Sequence, residues 1–148
     1  MPAKPIPDGF TAVTPYLMVD DADAEIAFLV HALGAVETGR MPMPGGKIAH
    51  ATVTVGGAPI MLSSAGAWGA ALPAMVFVYV PDADAAFARA VAFEGVTVQM
   101  PVADQFWGDR GGSVVSKNGV TYWIATHTED VTPEQIAQRM AGAPPADL

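Results

Sequence analysis

The chain has 148 residues and no cysteine, with 7 Lys+Arg against 15 Asp+Glu for a net charge of −8, and 51% of its residues are hydrophobic against 15% charged. These numbers exclude disulfides, thiolate metal sites and a cysteine nucleophile. They argue against nucleic acid or an anionic membrane surface as partner, because both demand cations. The length fits one domain or two intimate half-domains, and the apolar excess calls for an oligomer interface or a lined pocket. No apolar run approaches the ~18–20 residues of a membrane span. Met1–Gly9 holds three prolines and one lysine and lacks the apolar region of a signal peptide, so the expected location is the cytoplasm.

Thr11–Val19 reads as a first strand, with Pro15 arguing for an edge position. Asp21 or Asp23 is placed to cap a helix over Ala24–Leu33, whose Ile26, Leu29, Val30 and Leu33 make one apolar face and which Gly34 ends. Val36–Met41 is a short strand and Pro42–Gly46 a loop. Lys47–Val55 alternates, with His50, Thr52 and Thr54 on the polar side, and Gly56-Gly57 turns the chain into a strand over Pro59–Ser63. Ser64–Leu72 is a small-residue linker that carries Trp68.

The second half repeats this order. A strand over Ala74–Val80 leads to a helix over Ala83–Phe93, stopped by Gly95, and then to a strand over Val96–Met100. Pro101–Gly112 is expected to be a loop, Ser113–Ser116 a strand, Lys117–Gly119 a turn and Val120–Thr126 the last strand. Thr132, Pro133 and Gln135 form the N-terminal signature of a final helix. Met1–Gly9 and Ala141–Leu148 are expected to be arms or tails.

The repetition is visible residue by residue. V-D-D-A-D-A-E-I-A-F-L-V-H-A-L-G-A begins at Val19 and V-P-D-A-D-A-A-F-A-R-A-V-A-F-E-G-V at Val80, a gapless offset of 61 (80 − 19). Each half is strand, helix and three strands. The fold expected is α+β, two tandem βαβββ modules over residues 10–64 and 74–128 that form a cupped mixed sheet within a single domain. Residues 129–148 add a C-terminal helix and tail. Two such cups enclose a cavity.

The doubled unit resembles the vicinal oxygen chelate superfamily, the glyoxalase, bleomycin-resistance and extradiol dioxygenase proteins, and most closely its PhnB-like branch. The resemblance rests on Val13–Asp21, Gly46–Ala51, Met100–Arg110 and Asn118–Glu134. It implies a glyoxalase/bleomycin-resistance fold, a homodimer and, in metal-dependent members, His, Gln or Glu ligands in the first and last strands of each half. The corresponding positions here are Thr14, Met61 or Ser63, Met75 and Trp123. None of these suits Zn, Mg, Mn or Fe, which take imidazole or carboxylate in such sites. A metal site elsewhere would need His31, His50, His127 or Glu37, and His31 and His127 are not expected to converge with His50. No metal and no cofactor are therefore expected.

Because each alternating set contains one of these positions, the cup faces are assigned to Thr14 and Tyr16, Met61 and Ser63, Met75, Phe77 and Tyr79, and Thr121, Trp123 and Ala125. His50 is a candidate base or hydrogen-bonding group. In Phe106-Trp107-Gly108-Asp109-Arg110, the aromatics could close a pocket mouth and Arg110 could pair with an anion, or the segment could simply brace its own loop. Gly45-Gly46-Lys47 lacks the context of a phosphate loop. The leading expectation is a metal-independent protein that binds an apolar or aromatic small molecule, for sequestration or resistance. The alternative is a metal-free isomerase, lyase or cyclase. It would act on a natural-product-like carbonyl compound by acid–base chemistry at His50, Tyr16, Tyr79 or the Asp109–Arg110 pair. An interaction domain with a filled cavity is a third option.

Overall fold

The structure is a computed structural model that describes residues 3–142; the remainder of the C-terminal tail and the first two residues lie outside them. Strands β1 (Tyr16–Val19), β2 (Val36–Pro42), β3 (Ile48–Val55) and β4 (Ala58–Ser64) form one sheet in the order β1-β4-β3-β2. Strands β5 (Met75–Tyr79), β6 (Thr97–Asp104), β7 (Asp109–Val115) and β8 (Thr121–His127) form a second in the order β5-β8-β7-β6. Each opening strand runs parallel to its module's last strand, and the other pairs are antiparallel. The chain is thus α+β with two βαβββ modules, as its repeat implies. No described helix is long and apolar enough to cross a membrane.

Helices α1 (Ala22–Leu33) and α2 (Ala83–Ala92) start alike because their sequences do. Asp21 and Asp82 each accept a hydrogen bond from the backbone three residues on, at 3.0 Å. Gly34 caps α1 in the left-handed region at φ 68°. Helix α3 (Pro133–Gly142) opens on a reciprocal Thr132–Gln135 capping box.

One core joins the modules. Leu17, Val19, Ile60 and Leu62 of the first sheet and Val78, Val114, Tyr122 and Ile124 of the second pack with α1 and α2 in a single cluster. Helix α1 buries more than the one apolar stripe expected of it. Ile26 and Leu29 are buried, Val30 is exposed, and Glu25, Phe28 and Ala32 form a second buried line. Phe28 meets Phe93 edge-on at 5.7 Å and Tyr122 at 5.0 Å. Glu25, 1% exposed, accepts hydrogen bonds from Tyr122 Oη at 2.6 Å, Asn118 Nδ2 at 2.8 Å and Ser116 Oγ at 3.0 Å. Burial, reinforced by the Glu25 carboxylate, pushes the Tyr122 phenol well up. A helix of one module is thereby fastened to the last hairpin of the other.

Three expectations need correction. The first strand is shorter than Thr11–Val19, because residues 11–14 turn on themselves: Thr14 Oγ1 donates to Thr11 O at 3.1 Å. The segment Pro101–Gly112 is not a loop. Strand β6 runs to Asp104 and β7 begins at Asp109. Irregular register between Val98 and Ala103 lets the pair pass Pro101, and alternation in the sequence does not survive such a shift. Finally, His127 is the last residue of β8 and lies within the sheet rather than beyond it.

Candidate functional site

Since α1 and α2 cover one face of each sheet, the alternating side chains of the strands are left on an open face. On the first sheet these are Tyr16 and Met18 of β1, Met61 and Ser63 of β4, His50 and Thr52 of β3, and Met41 of β2, as the register aligns them. Tyr16, Met18, Met41, His50 and Trp68 line an open, almost wholly apolar pocket of about 640 Å³. Trp68 reaches it from the linker and is held by a 2.7 Å bond from its Nε1 to Ala49 O. A second recess of about 410 Å³ lies under the N-terminal arm, where Asp8, Gly9 and Phe10 meet Thr52, Thr54 and Pro59.

The pocket holds one polar pair. Tyr16 Oη and His50 Nδ1 are 3.2 Å apart, and His50 Nε2 is 3.4 Å from Thr52 Oγ1. With Nε2 protonated, Tyr16 donates to Nδ1 and the imidazole donates to Thr52. Alternation had put His50 on the polar side of β3; the structure adds that Tyr16, 34 residues earlier, is its partner.

On the second sheet the open face is aromatic. Met75, Phe77 and Tyr79 of β5 align with Thr121, Trp123 and Ala125 of β8. Phe77 stacks on Trp123 with centroids 6.1 Å apart, Tyr79 lies 5.1 Å from Phe77, and Trp107 lies 6.0 Å from Trp123. Phe106 meets Trp107 edge-on at 4.8 Å, so five rings form a continuous wall. Met75, Phe77 and Tyr79 are 62%, 45% and 59% exposed.

Asp109 anchors that wall. It is 2% exposed; its Oδ2 accepts from Tyr79 Oη at 2.9 Å and Trp107 Nε1 at 2.8 Å, and its Oδ1 is 2.8 Å from His127 Nδ1. Burial opposes ionisation, but the bonds from His127, Trp107 and Tyr79 together outweigh it and hold the carboxyl below its ordinary range. His127 is raised, chiefly by Asp130, 2.9 Å from its Nε2, and then by Asp109. Tyr79 is raised by the Asp109 carboxylate it donates to. Sequence reasoning missed His127 in this network. The signal available was the two-residue alternation of β8, which places residues 121, 123, 125 and 127 on one face.

Asp109 and Arg110 do not act as a pair. They are successive residues of a strand and point to opposite faces: Arg110 binds Asp84 of α2 at 2.7 and 2.9 Å and Asp104 at 3.2 Å. The loop over residues 105–108 is also no flap. Gly108 sits at φ 98°, its carbonyl accepts from the amides of Thr128 and Glu129, and a Cβ there would run into Glu129 O. Phe106 and Trp107 are therefore fixed parts of the wall rather than a closing mouth.

The four positions at which a metal is implied carry no suitable donor set. Thr14 offers a neutral hydroxyl, as does Ser63, the alternative to Met61; Met61 and Met75 offer thioethers, and the Trp123 indole Nε1–H donates but has no lone pair to give. Among the described residues, no group of three or more His, Asp or Glu converges to hold a metal ion. Ser63 Oγ and Trp123 Nε1 are instead the buried side-chain atoms of the described residues without a hydrogen-bond partner. Both belong to open-face positions, one in each sheet.

The sequence model of the Glyoxalase/Bleomycin resistance protein/Dioxygenase superfamily matches residues 10–124. An uncharacterized protein of Mycobacterium bovis is 35% identical over 141 residues, covering 88% of this chain and 92% of that relative. Among solved structures the chain is similar to TioX from Micromonospora sp. ML1, with a TM-score of 0.67 and 28% identity over 79% of this chain and 98% of the other. It is also similar to a glyoxalase/bleomycin resistance protein/dioxygenase from Nocardioides, with a TM-score of 0.60 at 22% identity over 90% of each chain. The latter likeness concerns the fold alone.

Proposed function

The chain belongs to the glyoxalase/bleomycin resistance protein/dioxygenase superfamily, and within it we propose a metal-independent protein that binds an apolar or aromatic small molecule, for sequestration or resistance. The observation that carries this reading is the composition of the open faces. Where metal-dependent relatives are expected to hold ligands, this chain has hydroxyl, thioether and indole groups; the same open faces carry a pocket of about 640 Å³ on the first sheet and a wall of five aromatic rings on the second. A volume of this order suits a small-molecule site. Aromatic walls take up flat ligands by stacking, and methionines adapt to irregular outlines. The PhnB-like branch is part of the proposal, supported by the four sequence segments already quoted, and so is a cytoplasmic location.

The working unit proposed is a homodimer. In one chain the helix-covered faces of the sheets share a core, which leaves both open faces bare, with Met41, Trp68, Met75, Phe77 and Tyr79 exposed on them. Monomers rarely leave so much apolar surface in contact with water. A second copy that sets its first sheet against this chain's second sheet would close two cups at once.

A second reading is favoured by the Tyr16–His50 pair, which lies inside the apolar pocket. A phenol and an imidazole side by side in an apolar pocket can act on an enolisable carbonyl substrate once the substrate displaces one of their mutual hydrogen bonds. The two readings separate in one screen. Aromatic and polyketide-like compounds are tested for raised melting temperature, since a ligand at about 100 times its Kd adds about 2.7 kcal/mol. Each hit is then followed by mass spectrometry. Binding without turnover is the expected result, turnover lost in His50→Ala would favour the enzyme, and a screen without hits would sink both.

A further inference from the structure

We infer that the ligand of this site is a planar aromatic cation, or a neutral aromatic of the same shape, and that aromatic anions are selected against. The inference rests on the binding function and the dimer proposed above, in which the pocket on one chain's first sheet faces the aromatic wall on the other's second sheet, and it adds the charge of the occupant.

It comes from where the cations are. The chain has 7 Lys+Arg, all among the described residues. Arg40 is committed to Asp23 and Glu37, Arg110 to Asp84 and Asp104, and Arg139 to Glu129, with a longer bond of 3.4 Å to the backbone oxygen of Phe106. Arg89 donates to Ala32 O at 3.3 Å, on the helix side of the sheets. Lys4 pairs with Asp8 in the N-terminal arm, and Lys117 lies in the β7–β8 turn against Gly95. Lys47 immediately precedes β3, and its ammonium donates to Ala65 O at 3.0 Å. No Lys or Arg lines the 640 Å³ pocket. A carboxylate or phosphonate entering it would lose its water and find no lysine or arginine to pair with, which is a costly exchange.

The faces offer a cation the opposite. The rings of Tyr16, Trp68, Phe77, Tyr79 and Trp107 present π surface, whose quadrupole attracts positive charge. Behind the wall stands the Asp109 carboxylate, with Asp130 at its rim. His127 between them offsets one of those two negative charges while it is protonated. The groups that bear on it are Asp109 from β7 and Asp130 after β8, with Tyr79 of β5 and Trp107 acting through Asp109, and Glu129 nearby already neutralised by Arg139 of α3. Raising the pH past the His127 titration therefore leaves the site one charge more negative, and cation binding tightens.

Three isosteric probes test this by calorimetry: N-methylacridinium, acridine and acridine carboxylate. The expected order is cation, neutral, anion, with the cation favoured over the neutral ring by about threefold to thirtyfold, the range of a cation–π contribution. The cation's preference should widen as pH rises and cease to do so in His127→Gln. Phe77→Ala should weaken all the probes that bind. If the three bind equally, or the carboxylate binds tightest, the charge preference is overturned while aromatic binding stands. If none binds, the proposed function falls and this inference with it. If Phe77→Ala changes nothing, the ligand sits elsewhere and the inference fails.

Discussion

Glu25 and Asp109 are both buried carboxylates that each accept three hydrogen bonds, yet they do different work. Glu25 holds the modules together. Glu25→Ala would leave Tyr122, Ser116 and Asn118 without their acceptor, and the expected loss is about 3 kcal/mol in urea unfolding, with Glu25→Gln losing about half as much. A loss below about 0.5 kcal/mol for Glu25→Ala would show that the clamp is ornamental. Asp109 instead orders the aromatic wall and couples it to pH. The raised His127 contributes stability that is fully present below its unfolded value, near 6.5, and is lost as pH rises through its folded value. The depressed Asp109 contributes stability that is lost as pH falls through its folded value. The melting temperature should therefore decline as pH rises above about 6.5, through the raised His127 titration, and this decline should vanish in His127→Gln. A curve unchanged by that substitution would mean His127 gains nothing from its two carboxylates.

At the scale of elements, the helices were legible because their signals are local. Asp21, Asp82, Gly34 and the Thr132–Gln135 box each act within a few residues of themselves. The β6–β7 hairpin was not legible, because a register shift around Met100 and Pro101 removes the alternation on which strand recognition depends. That miss turned Asp109 and Arg110 into neighbours in a loop, whereas a strand sends them to opposite faces. The second buried line of α1, Glu25–Phe28–Ala32, was hidden for another reason: a glutamate in a helix reads as solvated until the partners more than 90 residues away are known. The open-face sets, by contrast, followed correctly from alternation in β4, β5 and β8. The tightest test at this scale is Gly108→Ala. With φ at 98° and Glu129 O in the way of any Cβ, the loop cannot keep its form. The variant is expected to melt several degrees lower and to show altered tryptophan fluorescence as Trp107 leaves Asp109. A wild-type spectrum would mean that the loop is not what positions that ring.

For the molecule as a whole, the repeat made the fold readable and the resemblance made the family readable, but neither names a ligand. The proposed function is placed on the open-face side chains, and a shared fold does not specify them. The dimer is the first consequence to check. Sedimentation equilibrium should give twice the chain mass, and Phe77→Glu should give a folded monomer, since a charge there would be buried against the second copy. A wild-type monomer would leave the open faces to the ligand or to some other protein. The proposed function puts apolar binding where metal-dependent relatives hold a metal. It is tested most directly by elemental analysis of protein purified without chelator, combined with aromatic-ligand calorimetry before and after exhaustive chelation. No stoichiometric divalent metal is expected, and the same affinity in both titrations. About one metal per chain, with binding abolished by the chelator, would contradict it.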